Sequence, residues 1–203
     1  ETSNFTGNAR GVMIFDWYSS PVAAGTLNRI NNNTFEDNTA ASVMVLAGNE
    51  NGLGEPASVD NNTFLQDVGA LGANWSVIDE RLANGFTHAV VDVAANQVDF
   101  SGTYGAATAA YAIRVRGGVE EVNIYNNELD GGGVGNNGGT PATAGIYVAA
   151  NDSFYGAMKA ATDIDATGNL INNFPIGVVV YDPVGAVFGG LPAGASLKVN
   201  RND

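Results

Sequence analysis

The sequence predicts an all-β solenoid in which successive repeats form the coils of one elongated domain. A short pattern recurs along the chain: an apolar residue, two variable residues, Asn, one variable residue and a second apolar residue. Its copies begin at Ile30, Val59, Val93, Ile124, Ala166 and Val199. The chain also contains 27 Gly and 14% charged residues, without long helical periodicity. Internal repetition in a turn-rich, β-rich chain is typical of solenoids and propellers.

The repeat length favours a solenoid over a propeller. The asparagines of the copies are Asn33, Asn62, Asn96, Asn127, Asn169 and Asn202, whose numbers differ by 29, 34, 31, 42 and 33. A propeller blade needs four strands, whereas each repeat here holds two or three short β-rich runs. Residues 1–203 are therefore predicted to form a single domain of about six coils that stack on one another. An Asn at one phase of every coil predicts an internal hydrogen-bonded ladder, as in cross-β stacks.

Two segments carry a resemblance to a known family of folds. Residues 30–46 read INNNTFEDNTAASVMVL and residues 59–71 read VDNNTFLQDVGAL. These segments resemble the repeats of the right-handed parallel β-helix of the pectin-lyase-like superfamily, and the resemblance extends over nearly the whole chain. It implies the fold but not one activity, because that fold carries lyases, hydrolases, epimerases, tailspikes and adhesins.

The second β-rich run of each coil predicts an apolar outer face. Successive side chains of a strand point to opposite faces, so pairs such as Val43 and Val45 point inward. Apart from Arg114 and Arg116, the outward residues are mostly apolar: Met13, Phe15, Met44, Leu46, Tyr147, Val179 and Tyr181. Two interpretations remain open. Insertions at residues 67–89, 131–143 and 151–162 cover the face, or it binds another copy or a polysaccharide, since aromatic rings suit both partners.

The ends of the sequence predict self-association. Residues 1–5 align with residues 31–35, and residues 202–203 align with residues 33–34. The chain therefore stops at almost the phase where it begins and spans close to six whole coils. Neither end carries a recognisable polar cap, although terminal coils expose unpaired backbone. Two explanations follow: the chain is a segment of a longer solenoid, or copies stack head to tail into a filament. Six coils of about 4.8 Å would then give a subunit rise of roughly 29 Å.

Arg114 and Arg116 are the catalytic candidates that the resemblance implies. Polysaccharide lyases of this fold place Lys or Arg beside carboxylates that bind calcium, and the base removes the α-proton of a uronate. Glu120 and Glu121 follow the two arginines, but no Asp-rich cluster supplies the six to eight oxygens of a calcium site. The alternative interpretation is a solvated Arg pair opposite two Glu. The sequence therefore predicts no cofactor. It leaves calcium binding open, although no motif indicates it.

Hydrolase and epimerase signatures of the same superfamily are incomplete in this sequence. His88 is the sole His and lies in Phe-Thr-His-Ala rather than Gly-His-Gly, and no Asp-Asp pair occurs. Tyr181-Asp182-Pro183 is followed by Val184, where alginate epimerases have His. The Asp-Pro step is interpreted as a turn.

Composition limits the partners and the setting. A net charge of −13 with 8 Lys and Arg argues against nucleic acid, because phosphate binding needs clustered basic residues. No stretch approaches the about 20 apolar residues of a membrane span. Asn4, Asn32, Asn61, Asn74 and Asn151 begin N-glycosylation sequons, which Asn-rich turns also produce by chance. The sequence favours a secreted or cell-surface structural or adhesive protein that self-associates head to tail or laterally. The alternative is a carbohydrate-active β-helix, either a polysaccharide lyase or a binder of acidic glycans.

Overall fold

A computed structural model of the 203-residue chain forms a parallel β-helix with three sheets. It describes residues 2–18, 28–48, 57–70, 75–82, 90–103, 109–116, 121–133, 143–149, 163–181 and 196–200. Within these residues, eighteen strands form three six-stranded parallel sheets, which we name A, B and C. The chain passes from A to B to C and then returns to A, so strands three apart in sequence are neighbours. The all-β solenoid that the sequence predicts is confirmed.

The strands are short, and each sheet takes every third one. Sheet A contains β1 (Asn4–Thr6), β4 (Thr34–Glu36), β7 (Thr63–Asp67), β10 (Gln97–Ser101), β13 (Glu128–Asp130) and β16 (Leu170–Asn172). Sheet B contains β2 (Arg10–Tyr18), β5 (Ala41–Gly48), β8 (Trp75–Leu82), β11 (Ala110–Arg116), β14 (Ala144–Ala149) and β17 (Ile176–Tyr181). Sheet C contains β3 (Asn28–Asn31), β6 (Ala57–Asp60), β9 (Val90–Ala94), β12 (Glu121–Tyr125), β15 (Asp163–Thr167) and β18 (Ser196–Asn200). One 3₁₀ turn, Val68–Ala70, is the only helix in the described residues.

One strand lies where the sequence analysis predicted an insertion. Trp75–Leu82 forms β8 and pairs with β5 on one side and with β11 on the other. The prediction that residues 67–89 cover sheet B is therefore wrong for this segment. The apolar pattern of the sequence did not predict this strand, because it carries Asp79, Glu80 and Arg81 where other strands of sheet B are mainly apolar. Of the other two predicted insertions, residues 134–142 and 151–162 lie outside the described residues.

The corner between sheets C and A depends on residues with positive φ. The residue before each ladder asparagine in five coils has φ between 53° and 67°; these are Asn32, Asn61, Ala95, Asn126 and Gly168. Asn and Gly adopt this left-handed conformation at lower cost than other residues. The Asn-Asn pairs of the repeat therefore combine two roles, a corner residue followed by a ladder residue.

Rows of apolar side chains fill the interior and stack from coil to coil. In sheet A the register aligns Phe5, Phe35, Phe64, Val98, Leu129 and Ile171. The ring centroid of Phe35 is 5.0 Å from that of Phe5 and 4.9 Å from that of Phe64. Full burial of such a side chain stabilises the folded state by about 1.5 to 3 kcal/mol. The core is thus assembled by stacking between coils.

Candidate functional site

The ladder asparagines form a hydrogen-bonded column at the corner between sheets C and A. From Asn33 to Asn127, the backbone N–H and the side-chain Nδ2 both donate to Oδ1 of the asparagine in the next coil, at 2.9 to 3.2 Å. The Nδ2 groups also donate to main-chain carbonyls, as Asn96 does to Val59 at 2.8 Å. Asn169 is the last described member, because Asn202 lies outside the described residues. The column satisfies buried backbone groups, so its role is structural.

The outer face of sheet B is buried in its middle coils. The register aligns six residues of this face in one row: Met13, Met44, Asp79, Arg114, Tyr147 and Val179. Met44 and Tyr147 are buried, and Met13 and Val179 are half-buried. The expectation of an apolar stripe open to a partner therefore does not hold for Met44 and Tyr147. Phe15, Leu46 and Tyr181 lie in strands of this sheet, but their side chains are outside the described part.

Arg114 and Asp79 form a buried ion pair in the middle of that row. Arg114 Nη2 lies 3.0 Å from Asp79 Oδ2, and Arg114 Nε lies 3.3 Å from Asp79 Oδ1. The side chains are only 9% and 2% exposed. The interpretation of Arg114 as a solvated residue opposite two Glu is therefore wrong. Two hydrogen bonds from one guanidinium to one carboxylate fix the orientation of the Arg114 side chain.

Two tyrosines adjoin the ion pair and extend the buried cluster. The ring centroids of Tyr111 and Tyr147 are 4.7 Å apart, and Arg114 Cζ lies 5.7 Å from the centroid of Tyr111. Burial raises the pKa of Tyr111 to about 12, and the positive charge of Arg114 acts against this rise. Asp79 and Tyr111 could not be predicted as part of a site, since no periodic signal in the sequence marks either residue. Arg116, the second catalytic candidate, has its side chain outside the described part.

One amide group bridges two carboxylates on the outer face of sheet C. Asn123 Nδ2 donates to Asp92 Oδ1 at 2.9 Å and to Glu121 Oε1 at 3.0 Å. Burial raises the pKa of Asp92; the Asn123 hydrogen bond lowers it, whereas the charges of Glu121 and Asp60 raise it further. Among the described residues, no group of three or more His, Cys, Asp or Glu could hold a metal ion.

One edge strand of sheet C, β18, has an inner residue that is far more exposed than those of the other five strands. The inner row of the sheet comprises Ile30, Val59, Val93, Ile124, Ala166 and Val199. The first five are buried, whereas Val199 in β18 is 43% exposed. Each edge strand also carries one cation. Arg29 Nε lies 3.7 Å from Asp60 Oδ1, and Lys198 Nζ lies 3.5 Å from Asp165 Oδ2.

Three of the five predicted glycosylation sites lie in the described residues. Asn4, Asn32 and Asn61 are all exposed. Asn32 and Asn61 occupy the same corner position in successive coils, and Asn61 Nδ2 lies 3.3 Å from Asp60 Oδ2. Asn74 and Asn151 lie outside the described residues.

Comparison with known proteins finds no relative of this chain. No protein-family model matches the sequence, and neither the search of curated proteins nor that of solved structures finds a similar protein. No helix among the described residues is long and apolar enough to cross a membrane. The class that the fold defines is the parallel β-helix.

Proposed function

We propose that this chain is a structural element that associates end to end through the edge strands of its β-helix. The exposure of Val199 carries the proposal, because the rest of its row in the described residues is buried. Exposed apolar residues on edge strands favour the addition of further strands. A next coil would cover Val199 as each coil covers the one before it.

The two ends of the β-helix are suited to each other. Among the described strands, β1, β2 and β3 are the edges at one end, and β16, β17 and β18 are the edges at the other. Parallel neighbours repeat one evenly spaced hydrogen-bond pattern, so β16–β18 of one copy would accept β1–β3 of another. Such a head-to-tail contact generates an open filament when its rotation does not close. Six strands per sheet at about 4.8 Å give a subunit rise of roughly 29 Å.

The proposal has three further parts. The protein is secreted or displayed at a cell surface, it has an adhesive role, and it is a member of the pectin-lyase-like superfamily. The repeat segments at residues 30–46 and 59–71 support the relationship to that superfamily. The net charge of −13 supports an extracellular setting over one with nucleic acid. Lateral contacts through the outer face of sheet B would involve its half-buried members, Met13 and Val179.

The carbohydrate-active alternative has less support. In this alternative the polysaccharide binds across the outer face of sheet B, around Arg114, Arg116, Tyr147 and Tyr181. Arg114 and Tyr147 are buried, and Arg114 is bound to Asp79. A polysaccharide at this face would therefore have to contact residues other than these two.

Electron microscopy of the 203-residue chain, with measurement of the axial repeat, tests the proposal. We expect filaments that repeat near 29 Å, since six strands per sheet stack at about 4.8 Å. Val199→Asp should abolish them, because it places a carboxylate in an apolar row.

Leu65→Asp is the matched control. Leu65 is 39% exposed, close to the value for Val199, but it lies in β7, a middle strand of sheet A. Filaments should persist in this variant. Dispersed wild-type particles would contradict the proposal, and filaments lost only with Leu65→Asp would indicate lateral association instead.

A further inference from the structure

We infer that ionic strength controls the end-to-end contact, because this contact places Lys198 of one copy beside Arg29 of the next. The inference rests on the proposed function and adds the identity of the partner, a second copy of this chain, and the factor that regulates its binding. It follows from the order of charges along one row of sheet C.

The outer row of sheet C begins and ends with a cation. The register aligns Arg29, Ser58, Asp92, Asn123, Asp165 and Lys198 across the six strands. The carboxylates of the row lie in its middle strands, and the cations lie in the edge strands β3 and β18. Head-to-tail stacking in the same register would make Lys198 the direct neighbour of Arg29 in the next copy.

These two cations would then lie about one strand spacing apart, roughly 4.8 Å between main chains. Like charges directly opposite each other on adjacent strands are destabilising. In the single chain each cation lies beside a carboxylate of the neighbouring coil, Asp60 for Arg29 and Asp165 for Lys198. The cationic side chains are 46% and 55% exposed, so dissolved ions reach them and screen their charges. Each copy also carries a net charge of −13, so two copies repel each other as a whole, and salt weakens this repulsion too.

The attraction in the same contact is apolar. Stacking in register would cover the exposed part of Val199 with the β3 end of the next copy, where Ile30, the residue of the same inner row, is already buried in the single chain. Apolar burial is not weakened by moderate chloride concentrations, whereas the screening length falls from about 30 Å at 0.01 M salt to about 3 Å at 1 M. Salt should therefore strengthen the association. An interface held by ion pairs would show the opposite dependence.

A second copy is the partner that fits this end. It offers three edge strands of the same three sheets and an inner row in the same register. In the same register, that copy brings Arg29 to the position beside Lys198, so substitution of Lys198 tests whether this partner is bound.

Sedimentation velocity of the 203-residue chain between 10 mM and 1 M NaCl tests the inference. We expect the concentration at which half of the chains associate to fall about tenfold or more as salt rises. Lys198→Gln removes one of the two like charges and keeps a side chain of similar length. This variant should associate several-fold more readily at 10 mM NaCl, with a flatter salt profile.

Asn126→Asp is the matched control, because it also changes the net charge by −1. Asn126 is exposed in a middle coil, and its φ of 56° is one that Asp also adopts. We expect no gain in association from this variant. If wild-type association weakens with salt, or if Lys198→Gln behaves like Asn126→Asp, the inference is overturned while the end-to-end contact stands. If no association occurs at any salt concentration, the inference and the proposed function both fail.

Discussion

The middle coils and the end strands of this β-helix share one repeat but differ in their surroundings. Val93 is fully buried, whereas Val199, in the same row, is 43% exposed. Arg114 and Asp79 pair between two middle strands of sheet B, and their side chains are 9% and 2% exposed. Lys198 and Asp165 pair at an edge of sheet C, and their side chains are 55% and 31% exposed. The same residue types should therefore contribute very different free energies. Position in the stack, and not the repeat itself, sets the contribution of each residue.

The largest expected contrast concerns the two ion pairs. Arg114→Ala leaves the carboxylate of Asp79 buried without its charge partner, which should lower the free energy of unfolding by about 3 to 5 kcal/mol. Lys198→Ala removes an exposed partner and should cost at most about 1 kcal/mol. Urea unfolding followed by circular dichroism measures both.

A double variant separates the charge from the packing at this site. Asp79→Leu with Arg114→Met replaces both charges by apolar side chains of similar size, so it should recover much of the lost stability. Equal small losses for Arg114→Ala and Lys198→Ala would contradict the burial of the Arg114 pair.

The asparagine ladder gives the next contrast. Asn96→Leu removes the acceptor of the Asn62 N–H and the donor to the Val59 carbonyl. Because these buried groups lose their partners, the free energy of unfolding should fall by about 1 to 3 kcal/mol. Asn33→Leu acts at a half-buried member, where water can replace some of the bonds, so its cost should be smaller. Thermal unfolding compares the two variants. An unchanged melting temperature for Asn96→Leu would mean that the ladder bonds contribute nothing net.

A matched pair in the inner row of sheet C should show a smaller contrast. Val93→Ala removes two buried carbon groups, worth about 1.6 kcal/mol before any cavity term. Val199→Ala should cost well under half of this in the unassociated chain, because Val199 is already largely in water. Denaturant unfolding at low protein concentration keeps association out of the measurement. Similar losses at both positions would show that Val199 is covered in solution.

Substitution of Asp92 should have the smallest effect on the free energy of unfolding, and that effect should depend on pH. Burial raises the pKa of Asp92 in the folded state, so the folded state holds this proton more tightly than the unfolded chain. The stabilisation is present below the usual pKa of 3.8 and is lost as pH rises through the raised pKa. Asp92→Asn should therefore increase stability at pH 7, by less than about 1 kcal/mol because the site is partly hydrated. The gain should vanish near pH 3.

Unfolding at the two pH values checks this prediction against a surface control. Glu128→Gln, on the exposed outer side of sheet A, should change stability by at most about 0.5 kcal/mol at pH 7. A gain from Asp92→Asn that persists at pH 3 would show that its cause is not the ionisation of Asp92.

Sequence periodicity was informative wherever neighbouring coils repeat the same residue type. The coiled all-β architecture and the phase of the ladder follow from Asn recurring between apolar residues. The strand Trp75–Leu82 was missed because its polar residues break the apolar pattern. Its loss from the alignment also removed Asp79, so neither interpretation of Arg114, as a catalytic residue or as part of a solvated Arg pair, included the buried ion pair. The buried outer face of sheet B was one of two interpretations left open, since alternation shows which way a side chain points but not what covers it.

By itself, the sequence determined the coil, the phase of its asparagine ladder and its inner rows. These features depend on local properties, namely the two-residue alternation of strands and the recurrence of Asn and apolar residues at one phase of each repeat. Only the tertiary structure decided which distant residues meet, such as Arg114 with Asp79 at a separation of 35 residues. It also decided that Val199 is exposed and that Lys198 and Arg29 lie in opposite edge strands. Insertions of variable length change the sequence spacing between strands that pair, so these neighbours become identifiable only when the strands are paired.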